Sequence, residues 1–198
     1  MKLDKRLLVC AEMTEGSFVC DIGTDHGYLP AYLLRSEKCT KAIAADIGEK
    51  PLAAAKATFE NEGIEGGQLI LSDGLKNIPL DGVTDIVIAG MGGELISKII
   101  DADERSRTCG ANFILQPMTR ASVLRRYLAD NGFEITNDVD GADVVIVNTC
   151  GFIEDAKKEA IENILDMVEL KKEGVIRKIV VTGCLAERYR DEVLSEIP

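Results

Sequence analysis

The sequence predicts a three-layer α/β fold built on a parallel sheet. Strand-sized apolar segments alternate with helix-sized segments along most of the 198 residues, and 46% of the residues are hydrophobic. The apolar runs are continuous rather than alternating, which is typical of parallel strands covered on both faces. Regular alternation of such strands with helices indicates βαβ units.

Eight strands and six helices are predicted. The strands lie at residues 17–22, 42–47, 68–71, 85–89, 112–115, 133–136, 143–149 and 176–182. The helices lie at residues 28–35, 50–61, 93–100, 119–130, 154–173 and 185–197. Within 154–173, apolar residues recur at helical spacing and define one buried face.

Composition excludes several classes of protein. The apolar runs are strand-sized and fall short of the roughly 20 residues that a membrane span needs. No basic and apolar leader begins the chain, so we expect no signal peptide and a cytoplasmic location. Six cysteines then indicate reduced thiols or metal ligands rather than disulfides. The net charge of −11 argues against DNA and against any electrostatically driven nucleic-acid partner, unless positive charge is locally concentrated.

An acidic, turn-rich stretch at residues 137–143 predicts a domain boundary. Residues 1–136 have a net charge of −5, and residues 137–198 have −6 in less than half that length. Four cysteines precede the boundary and two follow it. We therefore expect two segments, 1–136 and 137–198.

The first strand is followed by a loop that predicts a cofactor site. Ligands of open α/β sheets bind at the carboxyl ends of the strands, and Gly23 there lets the backbone approach a ligand. The loop lacks the dinucleotide fingerprint and carries Asp21, Asp25 and His26 instead. Carboxylates would repel a pyrophosphate, so a cationic or zwitterionic cofactor fits better. S-adenosylmethionine is the candidate.

The next three strand ends support the same site. Asp46 lies 25 residues after Asp21, where a carboxylate can accept hydrogen bonds from both ribose hydroxyls. Residues 72–74 follow the third strand and are placed to receive the exocyclic amine of an adenine. The small residues at 89–93 open a floor below the transferable methyl group. Each pattern also occurs in purely structural turns, but four in order favour a cofactor site.

Four motifs carry a family resemblance. DIGTDHGYLP, SDGL, IVIAGMGGELI and ILQPMTRASVLRRYLADNGFEI closely resemble the bacterial tRNA (adenine(22)-N(1))-methyltransferase family. The resemblance covers residues 1 to about 136. It implies a Rossmann-like class I methyltransferase sheet, S-adenosylmethionine as cofactor and tRNA as partner.

The resemblance also assigns roles to single residues. It places Asp25 as the catalytic residue, because a carboxylate bonded to the exocyclic amine would orient and stabilise a purine that becomes cationic. His26 would bond the cofactor or the base, or would instead cap the following helix. The cofactor-binding residues are then Asp21, Gly23, His26, Asp46, Ile47, Asp73, Gly74, Gly90 and Met91.

Five arginines fall within 22 residues despite the acidic total. Arginine is suited to bidentate phosphate contacts, so the group is a candidate RNA-binding surface. An ordinary solvated helix face is the alternative explanation. The five are Arg105, Arg107, Arg120, Arg125 and Arg126.

The C-terminal segment carries a second resemblance. GADVVIVNTCGFIEDAKKEAIENILDMVELKKEG and RKIVVTGCLAERYRDEVLSEIP closely resemble part of the N-terminal domain of ribosomal-protein aspartate methylthiotransferases. In that family VNTC and TGC, here with Cys150 and Cys184, bind an auxiliary iron–sulfur cluster together with a third cysteine. The third motif is absent from this sequence, so we expect no complete cluster and no bound metal.

The two resemblances meet at RRYLADNGFEIT, which suits both families. We therefore expect a chimera, with an additional α/β segment at the C-terminus that stops where the methylthiotransferase family would continue. The leading functional hypothesis is a tRNA adenine N1-methyltransferase that acts at position 22. A cofactor-binding module without turnover and a truncated iron–sulfur protein are the alternatives. The oligomeric state stays open, as does whether residues 143–198 join the first sheet.

Overall fold

A computed structural model describes residues 3–136 and residues 144–146, which contribute to one parallel sheet with helices on both faces. The sheet has seven strands in the order β3-β2-β1-β4-β5-β7-β6. Their bounds are β1 Phe18–Ile22, β2 Lys41–Asp46, β3 Gly67–Leu71, β4 Asp85–Gly92, β5 Asn112–Thr119, β6 Ile135–Thr136 and β7 Val144–Ile146. The expected Rossmann-like α/β class is confirmed.

The described part of the chain has five α-helices: the first precedes β1, the next two link β1 to β2 and β2 to β3, and the last two follow β4 and β5. They are α1 Lys5–Met13, α2 Tyr28–Arg35, α3 Glu49–Glu62, α4 Gly93–Asp101 and α5 Ala121–Asp130, with a short 3₁₀ helix at Glu104–Arg107. The helix predicted at 28–35 matches α2 at both ends, whereas α1 and the 3₁₀ helix were not predicted. The predictions at 154–173, 176–182 and 185–197 lie outside the described residues. None of the helices in the described part is long and apolar enough to cross a membrane.

Two strands extend further than the sequence predicts. Predicted ends at 89 and 115 become Gly92 for β4 and Thr119 for β5, so Thr119 ends a strand instead of beginning a helix. The ladder continues because Ala89 pairs with Gln116, Met91 with Pro117 and Gly92 with Thr119, with a register shift on each side of Met91. Such irregularities add a residue to one strand and redirect its side chains, and they recur near functional sites.

Apolar side chains cover both faces of the sheet, as the continuous apolar runs predict. Val87 of β4 and Ile114 of β5 face the layer that contains α1 and α2. Their neighbours in sequence face the opposite layer, with α4 and α5. That second layer buries Ile86, Ile88, Ile96, Ile100, Phe113, Leu115, Leu124 and Leu128.

The topology positions the site. From β1 the chain adds β2 and β3 on one side, then crosses over to β4 and β5 on the other side. The carboxyl ends of β1 and β4 therefore border the switch-point crevice where α/β sheets bind ligands. Strand β7 pairs in parallel with both β5 and β6, so this part of the C-terminal segment joins the first sheet between them.

Candidate active site

The loop after β1 is pinned to β2 by two backbone hydrogen bonds. The N–H groups of Gly23 and Thr24 both donate to the Ala45 carbonyl, at 2.8 and 2.9 Å. Gly23 has φ +75° and Gly27 has φ +69°, a region that glycine adopts without steric cost. The chain therefore curls tightly at the switch point, and α2 begins directly behind it.

Asp46 connects the end of β2 to this loop. Its Oδ1 accepts a hydrogen bond from the Gly48 N–H at 2.9 Å, and its Oδ2 accepts one from the Asp25 N–H at 3.4 Å. The next residue, Ile47, exposes 70% of its surface, although neighbouring strand residues are buried. An exposed apolar side chain beside a carboxylate fits a ligand with a flat ring and a polyol.

Asp21 lies buried beneath the loop. Its Oδ2 accepts a hydrogen bond of 2.7 Å from the Thr24 hydroxyl. Burial raises the pKa of Asp21 to about 7; the Thr24 hydrogen bond lowers it in part, and the Asp46 charge adds to the rise. A carboxyl in a crevice with such a shifted pKa is a candidate for binding a positive group.

Asp25 projects from the same loop with φ +52°, a left-handed conformation that is uncommon for residues other than glycine. His26 Nδ1 lies 2.8 Å from Asp25 Oδ2, and the His26 ring stacks on Tyr28 with centroids 5.3 Å apart. The side chains of Asp25 and His26 are largely exposed. The carboxylate therefore sits in a held orientation beside an accessible aromatic surface.

The end of β3 contributes a tight turn. The Ser72 hydroxyl donates to the Gly74 carbonyl at 2.8 Å and accepts from the Asn77 N–H at 3.1 Å. Gly74 has φ +60° and packs close to Ile99. Asp73 stays exposed and forms an ion pair with Lys76 at 2.5 Å. Asp73 is thus available to solvent at the same edge as Asp46.

The end of β4 contacts the loop after β1. A Cβ built on Gly23 would lie 2.0 Å from Met91 Cε, so the Met91 methyl packs directly on the glycine. Gly90 has φ +79°, and its N–H donates to Gln116 Oε1 at 3.0 Å. The structure therefore brings Asp21, Gly23, Asp25, Asp46 and Met91 to one crevice.

Two residues at this edge were missed from the sequence. Gln116 is fully buried in the second half of β5, and Arg6 of α1 donates to its Oε1 at 3.2 Å. The polar Gln inside the apolar run ILQPM is a signal in the sequence for such a buried polar residue. Asp4 is a second signal in the sequence, and it marks the start of α1, the helix that carries Arg6. Asp4 precedes α1 and accepts a hydrogen bond from the Leu7 N–H at 2.9 Å, as an N-cap does.

The five arginines of the candidate RNA surface do not lie together. Arg105 donates to the carbonyls of Leu75 and Ile78, and Arg107 donates to Asp101 and Asn131. Both precede β5, at the amino edge of the sheet, whereas Arg120 follows β5 at the carboxyl edge and lies 3.9 Å from Glu94. Arg125 and Arg126 lie further along α5, and partial burial lowers the pKa of Arg125. Their binding of RNA stays a prediction.

The cysteines of the described part do not form a metal site. Cys10, Cys20 and Cys39 are buried, and Cys109 is half-buried. Across residues 3–136 and 144–146, no group of three or more His, Cys, Asp or Glu side chains could hold a metal ion. Cys150 and Cys184 lie outside the described residues.

Two family models match the chain. The model described as Methyltransferase domain matches residues 3–143. The model described as Uncharacterized protein family UPF0004 matches residues 118–198, so the two overlap at 118–143. The overlap contains the segment that the sequence suggested would suit both families, and both resemblances are confirmed.

Individual relatives divide in the same way. A tRNA (adenine(22)-N(1))-methyltransferase of Bacillus subtilis is 36% identical over 141 residues, which are 70% of this chain and 59% of that protein. The ribosomal protein uS12 methylthiotransferase RimO of Lachnoclostridium phytofermentans is 51% identical over 78 residues, which are 39% of this chain and 18% of that protein. The chain thus spans less than a fifth of the methylthiotransferase and under two thirds of the methyltransferase.

A solved structure agrees with the first match. A Streptococcus pneumoniae protein in complex with S-adenosyl-L-methionine is 35% identical and superposes with a TM-score of 0.63. The alignment covers 67% of this chain and 64% of that chain. In this chain the carboxylates of Asp21 and Asp46 interact at the carboxyl edge of the sheet, and the side chain of Ile47 is exposed beside Asp46.

Proposed function

This chain belongs to the methyltransferase domain family, and we propose that it transfers a methyl group from S-adenosylmethionine to ring nitrogen 1 of adenine 22 in tRNA. The observation that carries the proposal is the convergence of Asp21, Asp25 and Asp46 around the Gly23–Met91 contact. The Bacillus subtilis relative supports the choice of tRNA position.

The crevice fits S-adenosylmethionine. Exposed Ile47 offers an apolar surface for the cofactor adenine, and Asp46 beside it has a carboxylate suited to the ribose hydroxyls. Asp73 and Gly74 would contact the adenine edge, and the Gly23 backbone with Asp21 and His26 would hold the amino-acid end. Gly90 and Met91 would form the floor. When bound, the cofactor supplies a methyl group activated by its sulfonium charge.

The substrate nitrogen needs no strong base, because its own lone pair forms the new bond. The adenine therefore becomes cationic, and Asp25 would accept a hydrogen bond from its exocyclic amine and stabilise the developing charge. The Asp46 hydrogen bond to the Asp25 N–H and the His26 contact to its carboxylate hold Asp25 in place. A carboxylate fixed before the reaction pays no reorganisation cost during it.

Calorimetry with S-adenosylmethionine, followed by methyl transfer to an unmodified tRNA transcript, tests the proposal. We expect binding that Asp46→Ala weakens by about tenfold or more, which is the loss of about two hydrogen bonds. We also expect methylation of a transcript with adenine 22 and none when position 22 is guanine. Binding without transfer would favour the cofactor-binding module, and no binding would overturn the proposal.

The C-terminal segment raises a second candidate function, that of an iron–sulfur protein. We propose that residues 1–136 and 137–198 come from two families and that the chain is a chimera, because the two family models overlap near that boundary. An iron–sulfur function would need a third thiolate beside Cys150 and Cys184.

A tRNA substrate would place the protein in the cytoplasm.

A further inference from the structure

Arg6 of α1 contacts the carboxyl end of β5 and lies over Gly90 of β4. Its Nη1 lies 3.2 Å from Gln116 Oε1 and 3.3 Å from Met118 Sδ, and its Nη2 lies 2.8 Å from Asp4 Oδ2. These contacts join α1 to the end of β5 across more than 100 residues of sequence. About a third of the Arg6 side chain nevertheless stays exposed to solvent.

The Gln116 side chain that binds Arg6 also binds the backbone of β4. The buried Gln116 Oε1 accepts from both the Gly90 N–H and Arg6. A Cβ on Gly90 would lie 3.6 Å from Arg6 Nη1, so the guanidinium lies over the glycine backbone. The neighbouring Met91 contacts Gly23 in the loop that carries Asp25. Arg6 is therefore tied to the same strand end that would lie below the transferable methyl group.

The charge at this edge is mostly negative. Asp21, Asp25, Asp46 and Asp73 suit a cationic cofactor but repel the phosphates of an RNA. Arg6 supplies a positive charge at this edge of the sheet. Asp4 and Gln116 bind one side of its guanidinium, and its other N–H groups can donate to a further acceptor. Arginine presents five donors in a rigid fork that matches a phosphate.

We propose that Arg6 binds a backbone phosphate next to the target adenine and so positions the nucleotide over Asp25. This inference rests on the proposed function and adds a substrate-binding residue to it. Asp4 competes with the phosphate for the guanidinium, and Gln116 keeps the guanidinium at the end of β4. Removal of the Arg6 charge therefore weakens RNA binding while leaving the cofactor site intact.

Equilibrium binding of the unmodified tRNA transcript at several salt concentrations tests this. For Arg6→Gln we expect about tenfold weaker binding and a raised KM for tRNA, with kcat and cofactor affinity within about twofold of the wild type. The slope of log affinity against log salt should fall by about one, the value for one lost phosphate contact. Arg6→Lys keeps the charge and should keep the slope.

Three further variants make the outcome decisive. Asp4→Asn retains an N-cap and removes the competing carboxylate, so it should tighten RNA binding, whereas Glu12→Gln, at the other end of α1, should not. Arg35→Gln removes the same charge as Arg6→Gln from a distant ion pair with Glu62 and should leave the salt slope unchanged.

A purely structural Arg6 predicts a different pattern. Arg6→Gln and Arg6→Lys would then lower thermal stability and cofactor affinity together, with no change in salt slope, and that result would overturn the inference. An unchanged affinity in Asp4→Asn together with an unchanged slope in Arg6→Gln would do so as well. If the wild type binds cofactor but no tRNA, the proposed substrate fails, which is a separate result.

Discussion

The methyl group of Met91 packs on the backbone of Gly23, so that a Cβ at Gly23 would lie 2.0 Å from Met91 Cε. Gly23 follows β1 and Met91 lies at the end of β4, and these two strands are neighbours in the sheet. The contact therefore closes the crevice at the switch point, where the methyl-donor end of the proposed cofactor would lie.

Replacement of Gly23 by Ala should lower the free energy of unfolding and the cofactor affinity, each for its own reason. The φ of +75° costs an alanine about 1–2 kcal/mol of unfolding free energy, whereas the flexible Met91 side chain can swing away from the new Cβ. The displaced thioether then enters the crevice and lowers cofactor affinity. Urea denaturation and calorimetry measure the two effects.

Gly63→Ala is the matched control. Gly63 has φ +61° at the end of α3, and no atom lies within 4 Å of a Cβ built on it. We expect a similar loss of stability and no loss of cofactor affinity. Equal cofactor affinities for the two variants would contradict the role given to the Gly23–Met91 contact.

The sequence could predict the crevice because strand ends converge in any parallel sheet. Continuous apolar runs located β1 to β5, and the carboxylates at or just after the strand ends, Asp21, Asp46 and Asp73, had to meet at one edge whatever the strand order.

Long-range contacts explain why some features could not be predicted from the sequence. The Gly90 N–H donates to Gln116 Oε1 where β4 and β5 pair beyond their predicted ends, and neither segment alone shows which strand it pairs with. The five arginines of the candidate RNA-binding surface lie apart for a related reason. Arg107 and Arg120 flank β5, and eight extended residues separate its ends by roughly 25 Å.

Asp21→Asn should change the pH dependence of stability. The folded pKa of about 7 lies above the ordinary 3.8, so between about pH 4 and pH 7 the folded chain holds a proton that the unfolded chain releases. The wild type therefore loses stability as pH rises through this window. Asparagine keeps an acceptor for Thr24 without the charge, so the variant gains up to about 4 kcal/mol at pH 8.

Denaturation between pH 4 and pH 8 measures this difference. The advantage of Asp21→Asn should fall below about 1 kcal/mol near pH 4, where the wild-type carboxyl is protonated in the folded state and about half protonated in the unfolded state. Thr24→Val removes the hydroxyl that lowers the Asp21 pKa and should extend the window to higher pH. Parallel stability curves for the wild type and Asp21→Asn would contradict the buried titration.

Thiol reactivity should single out Cys109 among the cysteines of residues 3–136. Burial raises the pKa of Cys10 to about 12 and that of Cys39 to about 11, with the charges of Asp21 and Asp85 adding to the respective shifts. Burial and the Asp21 charge also raise the pKa of Cys20. The thiolate is the reactive form, so these three should label only after unfolding.

Labelling at pH 8 followed by peptide mapping checks this prediction, with urea-unfolded protein as the control. The same result bears on the iron–sulfur alternative, because a third cluster ligand must be a cysteine that can bind iron as its thiolate. We expect no stoichiometric iron or sulfide after anaerobic reconstitution. A cluster that is lost in Cys150→Ala and in Cys109→Ser would contradict that expectation and support the alternative.

Asp25→Asn should slow methyl transfer with little effect on cofactor binding. The N–H of residue 25 still donates to Asp46, and asparagine tolerates the φ of +52°. The charge that stabilises the cationic adenine is lost, so kcat should fall by about 10²–10³-fold. Single-turnover methylation of the tRNA transcript measures the rate, and calorimetry measures the cofactor affinity.

Glu37→Gln provides the matched control, because Glu37 is also an acidic residue with a positive φ, 57°, in the turn between α2 and β2. That turn lies at the opposite edge of the sheet, so its amide variant should keep the wild-type rate. If Asp25→Asn loses cofactor affinity as steeply as it loses rate, Asp25 belongs to the cofactor site. An unchanged rate would instead leave the stabilisation of the cationic adenine to another group in the crevice.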